Sequence, residues 1–273
     1  MLPKVTRSAV TLTDTQWAIL APLIRPAPEP GAPRPNGRPL SDQSPILQGI
    51  LWILDTGTKW KDLPERPGRY APRATCHRWL RKWSADGSMD PHCRSLGRHG
   101  LARGETGPAG RFCRRDLRAG EKGGLGVGCT KKGKGSKIMM VCDANGLPLA
   151  APVGSASPHE SKLVEATLDA RWTERAPSPL IGDRAYDRDA LDATLLEEHG
   201  VEPVSPHRRG RMRPPTQAGR TLRRYSRRWK IERLFAWLGN RRRLLVRHES
   251  RLASFAGFVT LGCIPILLKR LFG

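Results

Sequence analysis

An Asn-Gly pair at positions 145–146 separates two apolar segments and constrains the fold more than any other feature of this chain. Asn-Gly between hydrophobic runs is the strongest short-range indication of a tight β-hairpin turn. The pair therefore predicts antiparallel strands over 137–142 and 147–153. Beyond the hairpin, the hydrophobic pattern predicts alternating helices and strands, which indicates an α/β fold with a mixed sheet and flanking helices. Those elements are helices over 160–170, 188–199 and 222–238, and strands over 179–182 and 201–204.

The segment 1–88 has a helical pattern instead. Thr13 and Gln16 have the spacing of a capping box ahead of apolar residues at helical period. Ser41 is the predicted cap of a second helix, and a third helix over 75–84 has a basic face. We therefore predict a small all-helical N-terminal domain that resembles a helix-turn-helix module. Solvated basic helices are common, so an ordinary exposed face is the alternative for the third helix.

The charge of the chain indicates a polyanionic partner. Lys and Arg number 48 against 25 Asp and Glu, for a net charge of +23 and a pI near 10.9. A hydrophobic content of 38% is enough to build cores, so disorder does not explain the excess. A solvated surface is the alternative for any single cation, but DNA phosphates are the predicted ligand of two clusters. These are Lys131, Lys132, Lys134 and Lys137 before the hairpin, and Arg208, Arg209, Arg211 and Arg213 in a later loop.

The remaining composition favours a cytoplasmic, nucleoid-associated protein without a membrane partner. The six cysteines lack the paired spacing of zinc or redox motifs, so we expect free thiols. The first residues lack the apolar segment of a signal peptide. The apolar run 255–268 is short for a bilayer and contains Pro265, which predicts a buried closing helix.

Asp183 stands out by position, because it follows the predicted strand 179–182. α/β proteins place functional groups at the carboxyl ends of strands. Asp187 and Asp189 are assigned to the start of the next helix, where acidic side chains oppose the helix dipole. Asp143 adjoins the Asn-Gly turn and is assigned to the hairpin.

Glu232 lies within the predicted helix 222–238, on the same face as Tyr225 and Arg228. By spacing alone, an ordinary salt bridge between Glu232 and Arg228 is the simplest interpretation. Trp229 and Trp237 of the same helix are expected to pack in the core, with stacking on a DNA base as the alternative.

Five segments together resemble the DDE transposases of the insertion-sequence group called IS-five. The last is the most specific, because it holds the family's Y-x-x-R-x-x-x-E signature as Tyr225, Arg228 and Glu232. The resemblance implies a ribonuclease-H-like catalytic domain over 89–273 behind a helical DNA-binding region over 1–88. It also implies a homodimer that binds double-stranded DNA, at both terminal inverted repeats and target. The segments are "LTDTQWAILAPLI", "GILWILDTGTKWKDLPER", "KKGKGSKIMMVCDANGLPL", "LIGDRAYD" and "RRYSRRWKIERLFAWLGNRRRL".

The chemistry that the resemblance implies is phosphodiester cleavage and strand transfer by three carboxylates that hold two Mg²⁺ or Mn²⁺ ions. Carried over by motif, Asp183 is the second carboxylate and Glu232 the third. Tyr225 and Arg228 would orient the glutamate or contact a phosphate. Where much of the family has a basic residue, seven positions after the glutamate, this chain has Gly239, with Arg241 as the candidate substitute.

The first carboxylate is missing from its expected place. A "DG-[ST]-F" stretch should precede the hairpin, but the chain has "RFCRRDLRAGEKGG" there. Permitted codons for 112–123, shifted by one nucleotide, can encode "FVDGTFAPAKKG", with the aspartate codon straddling Arg114 and Arg115. We infer two compensating frameshifts, which leave 89–123 poorly ordered and activity impaired. Asp116 is a substitute candidate, but Arg114, Arg115 and Arg118 predict a poor buried strand.

The sequence thus predicts a transposase in a damaged copy, and two other classes stay open. One is a helix-turn-helix DNA-binding protein without chemistry, which would have no reason to place Asp183 at a strand end and Glu232 beside Arg228. The other is a metal-dependent nuclease or resolvase on the same fold, which a strand-transfer assay distinguishes from a transposase.

Overall fold

The computed structural model describes most of the chain, in segments separated by gaps. The described residues are 12–24, 42–87, 89–90, 93–96, 111–120, 123–131, 133–174, 176, 178–212, 214 and 219–272. Three helices come first in this part of the chain: α1 (Asp14–Ile24), α2 (Ser44–Thr56) and α3 (Arg73–Ala85).

The ends of the first two helices follow from local side-chain chemistry. The capping box before α1 is confirmed: the backbone N of Thr13 donates to Oε1 of Gln16, and the N of Gln16 to Oγ1 of Thr13, both at 3.2 Å. The predicted cap Ser41 of α2 lies outside the described residues. Gly57 ends α2 with φ 71°, a left-handed conformation that favours glycine.

Eight strands form one mixed sheet, which confirms the mixed α/β class. In the order β2-β3-β1-β6-β7, β1 is antiparallel to β3 but parallel to β6, and β6 is parallel to β7. β4 and β5 also pair with β3, and β8 with β1. The strands are β1 (Arg111–Gly120), β2 (Gly128–Thr130), β3 (Gly133–Cys142), β4 (Pro148–Ala150), β5 (Val153–Ser155), β6 (Leu180–Ile181), β7 (Pro203–Val204) and β8 (Val246–Arg247).

The Arg-rich segment forms the inner strand β1, between β3 and β6. Its register with β3 runs unbroken from Phe112↔Cys142 to Ala119↔Gly135. The prediction that this segment would make a poor strand and leave its neighbours unpaired was therefore wrong. Backbone groups of two flanking strands require partners, and any non-proline residue supplies them, whatever its side chain. The frameshift itself stays a hypothesis, since both readings provide a strand here.

Shorter helices connect the strands. They are α4 (Val164–Asp169), α5 (Asp189–His199), α6 (Gly219–Leu222) and α7 (Trp229–Gly239), and α8 (Leu252–Phe272) closes the chain. The helix predicted over 222–238 is divided, because Arg223–Arg228 forms a 3₁₀ segment between α6 and α7.

The sheet has a hydrophobic core on each face. Alternate residues of β3 divide between them: Ile138 and Met140 belong to the core that also holds α1, α2, α3, α7 and α8. Met139 and Val141 face the core formed with α4 and α5. Because the N-terminal helices share a core with α7 and α8, the domain boundary at residue 88 stays a prediction.

The closing helix α8 is buried, as predicted, but it is longer than the sequence indicated. It continues through Pro265 for 21 residues, so the prediction of an interrupted, short segment was wrong. Within the described residues, Leu252–Lys269 is long and apolar enough to cross a membrane by length and composition, and 67% of that stretch is buried inside the fold. α3 packs against it, and Phe255 and Phe258 are inaccessible.

Candidate active site

Asp183 lies where the sequence placed it, just beyond the end of β6. The strand's pairing continues to Gly182, whose N donates to the carbonyl of Val204 at 2.9 Å. Asp183 then caps the 3₁₀ turn Arg184–Tyr186, and its Oδ1 accepts a hydrogen bond of 2.8 Å from the N of Ala185. This bond orients the carboxylate relative to the sheet edge.

Tyr225, Arg228 and Glu232 are in contact with one another, although they belong to two kinds of helix. Tyr225 and Arg228 are in the 3₁₀ segment, and Glu232 is in the first turn of α7. The Arg228 guanidinium donates a 2.5 Å hydrogen bond to the Tyr225 hydroxyl, and its Nε lies 3.6 Å from Oε1 of Glu232. The Arg228 and Glu232 side chains are 54% and 42% exposed, which leaves them accessible to a ligand.

Arg228 also connects Glu232 to Asp183. The pKa of Arg228 lies above its usual value, first because of the hydrogen bond to Tyr225, and then because of the nearby charges of Tyr225, Glu232 and Asp183. Both carboxylates are therefore close enough to stabilise the same cation. The 3₁₀ segment packs against β6, which explains the approach of residues 49 positions apart.

The strand register locates the position of the first carboxylate. Phe112 and Ile181 are partners in the parallel pair β1–β6, so continuing the register by two residues brings position 114 beside Asp183. Position 114 pairs with Met140 of β3, on the face covered by α7. This chain has arginine at that position.

Asp116, the substitute candidate, lies two residues further along β1. Its Oδ2 is 2.6 Å from the guanidinium of Arg118, which is itself buried. The charge of Asp116 is thus already neutralised within its own strand.

Asp143 belongs to the hairpin, as predicted. It is fully buried, and its Oδ1 accepts hydrogen bonds from the N of Asn145 at 2.9 Å and of Leu147 at 2.7 Å.

Three of the predicted DNA-contacting cations have structural partners instead, so those predictions were wrong. Lys137 is buried and donates to the carbonyl of Pro158. Arg211 contacts two carboxylates in the interior of a loop, and Arg241 forms an ion pair with Asp55 of α2. Arg241 is therefore occupied in joining α7 to the N-terminal helices, and Gly239 has no substitute there. The sequence could not show this, because each partner is distant in the chain.

Other cations of the two clusters are exposed. Lys131 and Lys134 lie at the turn between β2 and β3, and Arg209 lies in the loop after β7. Arg208 is exposed, but its side chain also bonds to backbone carbonyls. Lys132 and Arg213 fall outside the described residues.

The exposed face of α7 is aromatic and basic. Trp229 is 47% exposed, so the prediction that it packs in the core was wrong, whereas Trp237 does pack partly against the core. The Arg233 guanidinium lies over both indole rings, 4.7 Å from the centroid of Trp229 and 4.8 Å from that of Trp237.

Sequence reasoning missed the role of Asp187. It was assigned to a helix start, which is correct for Asp189 but not for Asp187, whose buried carboxylate binds groups of the loop 205–212. Those groups lie 20 or more positions away, and no local spacing signals the contact.

Comparison with known proteins identifies the family. Residues 85–266, the larger part of the chain, match the family described as "Transposase DDE domain". The chain belongs to the DDE transposases. Residues 12–91 match a second family, described as "Putative transposase of IS4/5 family". No solved structure matches this transposase chain.

Three curated relatives cover parts of the chain. A putative transposase for insertion sequence element IS402 of Burkholderia cepacia is 36% identical over 145 residues, 50% of this chain and 64% of that protein. An uncharacterized 16.2 kDa protein of element IS402 from the same species is 40% identical over 80 residues, 29% of this chain and 52% of that protein. The uncharacterized protein y4sN of Sinorhizobium fredii (strain NBRC 101917 / NGR234) is 32% identical over 70 residues, 25% of this chain and 52% of that protein. This chain thus spans only 52% to 64% of the length of these relatives.

The DDE transposase family uses divalent metal ions, typically Mg²⁺. Carboxylate oxygens suit such hard ions, and Asp183 and Glu232 supply them near one guanidinium. Among the described residues, no group of three or more His, Cys, Asp or Glu side chains is arranged to hold a metal ion. The residues present therefore fit one ion with water as its other ligands, and do not fit two ions that share a carboxylate.

Proposed function

We propose that this transposase chain binds the ends of its insertion sequence and retains only part of the machinery for DNA cleavage and strand transfer. One observation carries the proposal: Asp183 at a strand end and Glu232 on α7 both stabilise Arg228, which also bonds to Tyr225. A structural ion pair has no need of a second carboxylate and a tyrosine on one half-exposed guanidinium. An arrangement of this kind suits a phosphate flanked by metal-binding carboxylates.

The DNA-binding part of the proposal rests on charge. Exposed cations surround the candidate site, on the 3₁₀ segment at Arg223, Arg224 and Arg227 and in the loop at Arg209. Phosphates neutralised by such residues release counterions, which gives sequence-independent affinity. We propose double-stranded DNA as the partner, both inverted repeats and target, bound by a homodimer at the nucleoid in the cytoplasm.

The residues present can bind and orient DNA better than they can cut it. The Arg228 guanidinium can bind a phosphate oxygen, and the Tyr225 hydroxyl limits its movement. Asp183, held by the N of Ala185, and Glu232 would coordinate one Mg²⁺ or Mn²⁺, which supplies Lewis acidity when bound. A carboxylate is absent from position 114, so the attacking oxygen is not held in line and cleavage is slow.

A DNA-binding protein without chemistry is the second candidate, and the arginine at position 114 favours it. The two functions differ in one measurement. Given Mg²⁺ and a duplex with an insertion-sequence end, the proposed transposase releases and joins 3′ ends slowly, and a plain binder releases none. A nuclease on the same fold would cut without joining.

The experiment combines binding and transfer. Fluorescence anisotropy with end-bearing and unrelated duplexes, between about 50 and 200 mM salt, should show affinity falling steeply with salt for both and tighter binding to the end. Strand transfer is then measured with and without Mg²⁺. Binding that does not change with salt would contradict the electrostatic basis. Equal affinity for both duplexes would contradict recognition of the ends.

A further inference from the structure

The loop that follows β7 is fastened to the turn that follows β6. Asp187, at the end of that turn, accepts hydrogen bonds from three groups of the loop 205–212, which we call the basic loop. Nδ1 of His207 donates at 2.9 Å, the backbone N of Arg208 at 2.7 Å and the guanidinium of Arg211 at 2.8 Å. One carboxylate therefore holds three consecutive parts of the loop.

The interior position of Asp187 makes these bonds consequential. Its side chain is 4% exposed, and that of Arg211 is 13% exposed. Burial alone raises the pKa of Asp187, but hydrogen bonds from His207 and Arg208 and the charge of Arg211 outweigh it, and the pKa lies below its usual value. Loss of this carboxylate would leave the N–H of Arg208 and the Arg211 cation without their buried acceptor.

Arg208 returns a second set of contacts to the same turn. Its guanidinium donates to the carbonyl of Arg184 at 3.0 Å and to that of Ala185 at 2.8 Å. The N of Ala185 donates in turn to Oδ1 of Asp183. Ala185 is thus held at its carbonyl by the basic loop and at its N–H by Asp183, so the loop and the carboxylate are mechanically connected.

The outer surface of this arrangement is positively charged. Arg184 of the turn and Arg208 and Arg209 of the basic loop are exposed. A backbone fixed by Asp187 presents these cations at a constant spacing beside Asp183, which lowers the entropy lost when phosphates bind.

We propose that Asp187 is a positioning residue, which holds the carboxylate of Asp183 and the exposed arginines 184, 208 and 209 in one arrangement that binds DNA backbone phosphates beside the candidate active site. The inference rests on the proposed DNA-binding function for its ligand. It does not rest on that function for its effect on Asp183.

The first test needs no DNA. Backbone amide hydrogen exchange is measured for the full chain and for Asp187→Asn, with Asp189→Asn as the matched control, since Asp189 contacts the other side of Arg211 and is 30% exposed. Asp187→Asn should accelerate exchange at the N–H of both Arg208 and Ala185 by about tenfold or more, and Asp189→Asn should change either by less than about twofold. Unchanged exchange at Ala185 would overturn the connection to Asp183.

The second test is a double-mutant cycle on affinity for duplex DNA. If Asp187 acts through the basic loop, Arg209→Ala should weaken binding about three- to fivefold in the unmodified chain and by less than about 1.5-fold in the Asp187→Asn background. Additive effects would overturn the proposal. If Asp187→Asn does not fold, Arg211→Gln, which leaves two of the three bonds to Asp187, takes its place in both tests. If the unmodified chain binds no DNA, the proposed function fails, and the exchange experiment still decides the positioning of Asp183.

Discussion

Phe112 of β1 and Ile181 of β6 are register partners in a parallel pair of strands. Asp183 follows Ile181 by two residues, so the same register brings position 114 beside it. The shifted reading "FVDGTFAPAKKG", aligned from Phe112, has its aspartate as the third residue, which is position 114. Two independent lines thus lead to one position: codon permissiveness, and the pairing of the strands.

The first prediction is that Arg114→Asp restores a metal site. A carboxylate there would join Asp183 and Glu232 on the face under α7, and would remove a cation that repels metal ions. Titration calorimetry should show Mn²⁺ affinity rising by about tenfold or more, with Mg²⁺-dependent strand transfer above that of the unmodified chain. Replacing 112–123 by the shifted reading should raise transfer further.

Asp116→Asn is the control for this experiment, because the Asp116 carboxylate is bound to Arg118. It should change neither metal affinity nor transfer. If the unmodified chain already transferred strands at the restored rate, and Asp116→Asn abolished transfer, then Asp116 would be the first carboxylate and the assignment of position 114 would fail.

The second prediction separates DNA-binding cations from structural ones. Arg209→Ala and Lys134→Ala remove exposed charges, so each should reduce the slope of log affinity against log salt by about 1. Arg241→Met should leave the slope unchanged and lower the free energy of unfolding by about 2 kcal/mol, because Asp55 keeps a partly buried charge without its partner. Anisotropy titrations and urea unfolding of the same proteins measure the two quantities. A reduced slope for Arg241→Met would show that this residue contacts DNA after all.

The third prediction concerns Arg247, which is completely buried. Its guanidinium donates to Oγ of Ser136 at 2.7 Å and to three backbone carbonyls at 2.9–3.1 Å, so it joins β8 to β3 and to the loop 123–127. Arg247→Met should lower the free energy of unfolding by about 3 kcal/mol, because four acceptors lose their donor. Urea unfolding provides the measurement. The exposed Arg242→Met is the control, expected within about 0.5 kcal/mol of the unmodified chain. Equal stabilities for the two variants would contradict this role.

The fourth prediction is a pH dependence caused by Asp192. Burial raises the pKa of Asp192 to about 6, and the charges of Asp187 and Asp189 raise it further. Because the folded-state pKa lies above the unfolded value of 3.8, the contribution to stability is complete below pH 3.8 and is lost as the pH rises through 6. Asp192→Asn should therefore be more stable than the unmodified chain at pH 8 by about 1 kcal/mol, after allowance for partial solvent screening. Thermal unfolding at pH 5 and pH 8 should show the difference only at the higher pH. A difference of the same size at both values would assign it to packing instead.

The class of fold could be predicted from the sequence because its indications are local. The Asn-Gly turn, the capping box at Thr13 and Gln16 and the end of α2 at Gly57 each depend on backbone preferences within a few residues. The candidate residues Asp183, Tyr225, Arg228 and Glu232 were found because a strand end and a helical spacing can be seen in one short segment. The resemblance to a family then distinguished a catalytic set from an ordinary salt bridge.

What only the tertiary structure decided is which side chains are already engaged. Lys137, Arg211 and Arg241 are as basic as Arg209 in the sequence, but their partners Pro158, Asp187 and Asp55 come from distant parts of the chain. The strand over 111–120 also depends on its neighbours, because β3 and β6 supply the backbone partners that its own side chains do not predict. Local propensity determines where elements begin and end, whereas pairing and burial, which are set by residues far apart, determine which charges remain free to bind DNA.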